Sequence, residues 1–113
     1  MNKLFFLLIP LLLSSFIHLW NPVGYPDIFF DEGIYMRRAV NLLDTGNPQE
    51  GDTYDHPYFG QITIASILAL TDYSHLKPDT DADSLKSLYM IPRIFMGLLA
   101  ILDTFLIYKI VQI

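Results

Sequence analysis

The chain contains no cysteine, so neither a disulfide nor a thiolate metal site is open to it, and its redox compartment cannot be read from its residues. Basic residues are also scarce. Seven lysines and arginines stand against twelve acids, a net charge of −5, and they form no patch that would follow a nucleic-acid backbone, so nucleic acid is not expected as a partner. There is no internal repeat, no glycine-rich phosphate loop and no Gly-x-Ser-x-Gly nucleophile turn. Charge is missing from two long stretches as well, and these set the class.

From Leu4 to Trp20 the only ionisable side chain is His18, near the end of the run. A helix needs roughly 17–25 apolar residues to span the hydrocarbon core, so residues 1–20 are expected to form a first transmembrane helix. Met90 to Ile113 is a second such run, carrying Arg93 near its start, Asp103 near its middle and Lys109 near its end. The expected fold is therefore an all-α integral membrane protein. Two transmembrane helices, residues 1–20 and 89–113, flank an extracytoplasmic loop, residues 21–88, with juxtamembrane helices. A cleavable signal peptide is the alternative for the first run, but Ser14-Ser15-Phe16-Ile17-His18-Leu19-Trp20 puts bulky residues where a peptidase needs small ones. Trp20 reads instead as an interfacial anchor, with Asn21-Pro22 ending the helix. Lys3 and Lys109 mark the outer ends of the two runs, while the loop holds eleven of the twelve acids. That asymmetry favours cytoplasmic termini and an outward loop, in a multi-pass protein of the plasma membrane.

Within the loop, Asn21 to Pro26 is too rich in Pro and Gly for regular structure. A helix is expected to open at Asp31 as its N-cap. Tyr35, Met36, Ala39, Val40, Leu42 and Leu43 recur at helical spacing, Arg37 and Arg38 fall on the other face, and Gly46 supplies the stop. Asn47 to Asp55 is a turn-rich loop. A second helix, about Phe59 to Leu70, opens with Pro57; too short to span and too apolar for water, it is expected to lie in the membrane interface. Tyr73 to Ser87 reads as a polar connector. Its Asp79, Asp81 and Asp83 lack the glycine and terminal glutamate of a calcium loop.

Asp31 alone would be explained as a cap. Glu32 beside it, Arg37 and Arg38 one to two turns on, and a distant Asp55-His56-Pro57 opening another helix together suggest a polar site at a membrane surface. Helix N-termini stabilise carboxylates and equally hold phosphate. Asp103 inside the second run is expected to pair with a helix beyond these two.

The order of these residues resembles a family. An apolar run is followed by an Asp-Glu pair, then by a His-Pro turn leading into a juxtamembrane helix, then by a second run opening with Ile91-Pro92-Arg93-Ile94-Phe95. This is similar to the start of a GT-C superfamily membrane glycosyltransferase dependent on a polyprenyl-phosphate sugar, close to the protein O-mannosyltransferases and aminoarabinose transferases. The resemblance covers this whole chain but only the N-terminal part of such an enzyme, so the chain reads as a fragment, inactive alone. It implies that Asp31 is the catalytic carboxylate, assisted by Glu32, and that Asp55, His56, Pro57, Arg37 and Arg93 contact substrate. The implied donor is a polyprenyl-phosphate-linked sugar within membrane lipid, and the acceptor a protein, lipid or glycan. The mannosyltransferase motif His-Pro-Pro-Leu-Gly-Lys is here His56-Pro57-Tyr58-Phe59-Gly60-Gln61, lacking the second proline and the lysine. A divalent metal on Asp31 with Asp55 or His56 is the minority arrangement, suggested by the related oligosaccharyltransferases. The competing class is a two-span accessory subunit of a membrane complex with no catalytic role.

Overall fold

The computed structural model describes residues 3–24, 30–48, 57–71 and 82–112. These residues form four α-helices and no strand: α1 Lys3–Leu19, α2 Phe30–Thr45, α3 Tyr58–Leu70 and α4 Ala82–Val111. One of them, α4 over Leu85–Val111, is long and apolar enough to cross a membrane, while α1 is a shorter apolar helix.

The ends of α1 and α2 follow from backbone chemistry. Trp20 N–H still bonds to Phe16 O at 3.0 Å, and Asn21 then turns the chain with a φ of 72°. Asparagine is among the few residues with a side chain that visit this left-handed region readily. Gly46 does the same for α2 with a φ of 75°, donating its N–H to Leu42 O at 2.9 Å. Asn41 Nδ2 donates to Asn47 O at 2.7 Å and fastens the exit.

Three sequence expectations need correction. Asp31 is not the cap of α2: the helix already includes Phe30, so Asp31 and Glu32 both sit in its first turn. There the unbonded N–H groups favour a carboxylate without any capping geometry. Arg38 is not on an outward face either. It is buried together with Met36 and Ala39, and because positions two apart on a helix lie nearly opposite, α2 is enclosed on more sides than its apolar spacing marks. Finally, α4 begins at Ala82, so the last six residues of the expected connector are helix. Asp83 occupies its first turn, Ser87 Oγ donates to Asp83 O at 2.9 Å, and Lys86 lies 3.7 Å from Asp83 on an exposed edge.

α1 and α4 form an antiparallel hairpin, since Ser14 meets Thr104 whereas His18 and Leu19 meet Gly97. α2 and α3 pack together against the opening turns of α4. The core is made there, by Met36, Ala39, Ala65, Leu68, Leu88 and Tyr89. Gly60 allows the close fit of α3 on α2: a Cβ at that position would stand 2.9 Å from the Tyr35 ring. On its other side α3 leaves Phe59 and Leu70 more than four-fifths exposed, at 81% and 88%.

Candidate functional site

The N-terminus of α2 and a point about three turns into α4 are joined by one bidentate contact. Arg93 Nε donates to Glu32 Oε1 and Arg93 Nη2 to Glu32 Oε2, both at 2.6 Å, and Nη1 donates to Pro22 O at 2.8 Å. Three segments, the exit of α1, the start of α2 and α4, therefore meet on a single guanidinium. The carboxylate retains only 25% and the guanidinium 13% of side-chain exposure. Planar fork-to-fork pairing fixes orientation as well as charge, which a lysine at position 93 would not do.

Beside this clamp lies an open cleft of about 480 Å³. Its polar rim is His18, Glu32 and Arg93; Ile17, Met36, Ile64, Met96 and Ala100 make its apolar body. Gly97 contributes bare backbone to the wall, where a Cβ would stand 3.0 Å from His18 O. Such a cleft matches an amphipathic molecule with a polar end and an aliphatic remainder.

Asp31 is exposed on the same first turn as Glu32. Its neighbour is held by Arg93, whereas Asp31 faces outward. Arg37 is exposed and borders a different cleft, about 320 Å³, with Asn41, Asp44, Leu85 and Tyr89. Pro57 stands as the N-cap residue of α3 with extended backbone and no side-chain cap bond. Asp55 and His56 lie outside the described residues. Of the expected site residues, the structure thus brings Glu32 and Arg93 together and sets Arg37 apart. Among the described residues no group of three His, Asp or Glu side chains converges to hold a metal ion. The metal arrangement would need Asp55 or His56.

His18, Pro22 and Gly97 were missed from sequence. Only His18 carried a signal, as the sole titratable group of the first apolar run. Comparison with family models, with curated proteins and with solved structures gave no match. The functional reading therefore rests on the residues and their geometry.

Proposed function

We propose that the chain is the N-terminal part of an integral-membrane glycosyltransferase that moves a sugar from a polyprenyl-phosphate donor to a hydroxyl of a protein, lipid or glycan acceptor. In this reading α1 and α4 are the first two spans, the termini are cytoplasmic, and α2 and α3 form a cap over the outer membrane surface. The observation that carries it is the adjacent pair on the first turn of α2: Glu32 locked by Arg93 and Asp31 left exposed, next to a cleft with a polar rim and an apolar body.

The chemistry divides between the two acids. An acceptor hydroxyl attacks the anomeric carbon, the C–O bond to the lipid phosphate breaks, and the hydroxyl proton passes to a base. Asp31 is that base. Glu32 is a positioning residue, since both of its oxygens are engaged by Arg93 and its charge is already balanced. For the same reason Arg93 orients the turn instead of neutralising the leaving phosphate. That countercharge comes from another cation.

The test is Asp31→Asn in the full-length enzyme, assayed for transfer from a polyprenyl-phosphate sugar. Loss of general-base catalysis lowers turnover roughly 10²- to 10⁴-fold. Thermal stability changes little, because only a dipole interaction of about 0.3–1 kcal/mol is removed. An asparagine variant with near-normal transfer would reject the assignment.

A further inference from the structure

Asp103 is an exposed carboxylate set in an apolar surface. It lies eight residues before Val111, about 12 Å of axial rise inside the membrane-length segment Leu85–Val111. One turn away on α4 are Leu99, Ala100, Leu106 and Ile107, and the three larger of these are themselves exposed. Thr104 faces α1 and reaches Ser14 at 3.0 Å. Asp103, one residue earlier, is turned about 100° away from that contact. The nearest basic residue on α4, Lys109, is six positions on, and its Nζ sits 5.8 Å over the ring of Phe105. The face thus has two properties at once: an aliphatic rim of Leu99, Leu106, Ile107 and Ile110 suited to a packed helix, and one negative charge among them.

We propose that this face of α4 is the docking surface for another membrane-spanning helix that presents one lysine or arginine at the depth of Asp103. Acids within a membrane face protein or water and pair with a base, and aliphatic packing around such a pair holds two helices in register. A second copy of this chain is the poorer occupant. Two-fold symmetric, parallel packing through this face would set Asp103 against Asp103, like charge on like charge. The inference rests on α4 crossing the membrane, as in the function proposed above, but not on sugar transfer.

The test uses the full chain, labelled with a fluorescence donor and reconstituted in phosphatidylcholine vesicles. The probe is a leucine-rich helix of about 25 residues, carrying an acceptor dye and either one lysine at matching depth or none. Alkaline extraction comes first: a chain stripped from the vesicles would overturn the membrane reading and this inference together. With the chain retained, the lysine helix associates about five-fold or more tightly than the all-leucine helix, as expected for one intramembrane polar contact. Asp103→Leu abolishes the preference, and Asp103→Asn reduces it while preserving shape. Equal association of both probes with a retained chain would overturn the docking proposal alone. So would self-association of labelled copies that the lysine helix fails to displace.

Discussion

In the cap formed by α2, α3 and the first turns of α4, Met36, Ala39, Ala65, Leu68 and Leu88 are withdrawn from the surface. In the α1–α4 hairpin, by contrast, Phe5, Leu12, Leu13, Leu98, Leu102 and Ile110 all face outward. The cap is put together as a water-soluble protein is, by removing apolar area from solvent. The hairpin closes at small and hydroxylated residues, Gly97, Ser14 and Thr104, with Leu19 packed on Gly97, while many of its large side chains point outward. That inversion fits the membrane reading proposed above, because in lipid leucine gains nothing by leaving hydrocarbon and helices associate through close approach and hydrogen bonds. Glu32 and Arg93 tie the two regions together.

The comparison is broken most directly at Leu68, the largest fully buried side chain of the cap. Leu68→Ala should cost about 2–5 kcal/mol, the usual range for a core leucine. Hydrogen exchange should then accelerate in α2 and α3 and leave the middle of α4 protected. Equal loss in the hairpin would mean that the two regions are one cooperative unit.

The joint comes next. Arg93→Met preserves the aliphatic stem but leaves a largely enclosed Glu32 without its donors, which should cost about 1.5–3 kcal/mol, as for hydrogen bonds to charged groups. The Glu32→Met, Arg93→Met double variant should lose less than the sum of the two single changes. Additive losses in chemical denaturation would show that the pair is not coupled.

This joint is also where the sequence was least informative. Helical spacing marked α2 and α3 closely, and hydropathy marked α1 and the membrane-length part of α4, because these signals are local. Glu32 and Arg93 are 61 positions apart and belong to no common period. Each had a plausible separate role, and only the tertiary fold makes them partners. Arg38 was misplaced because a charge is normally assigned to the solvent side, whereas here α2 is enclosed on that side too. The start of α4 was misplaced because hydropathy reports where a helix becomes apolar, not where it begins. Asp31 was expected from sequence as the catalytic carboxylate of its turn; its exposure beside a clamped neighbour needed coordinates.

On the hairpin side, Gly97→Val should cost about 1–3 kcal/mol, the range for overpacking. The new Cβ would stand 2.8 Å from Leu19 Cδ2, which can swing aside, and 3.0 Å from His18 O, which is backbone and cannot. Spin labels on the outward sides of α1 and α4 should report a wider separation near His18 and Gly97. An unchanged distance would mean that the seam is looser than the contact implies.

The smallest effect belongs to Ser14 and Thr104. The Thr104 hydroxyl lies 2.9 Å from Ala100 O and 3.0 Å from Ser14 Oγ, but it has one proton to give. When Thr104 donates to its own helix, Ser14 donates to Thr104 Oγ1, so removing Ser14 leaves Thr104 with an acceptor still in place. Ser14→Ala should therefore cost only about 0.6 kcal/mol, the average for side-chain hydrogen bonds between membrane helices. Thr104→Val, which leaves Ser14 able to bond back to its own helix as Ser15 does to Leu11 O, should cost about the same. The double variant should add little to either single change, since both remove the same bond. Measured by the association of separated α1 and α4 peptides in bilayers, a loss several times larger would mean that the hydroxyl pair, and not the close approach at Gly97, holds the hairpin closed.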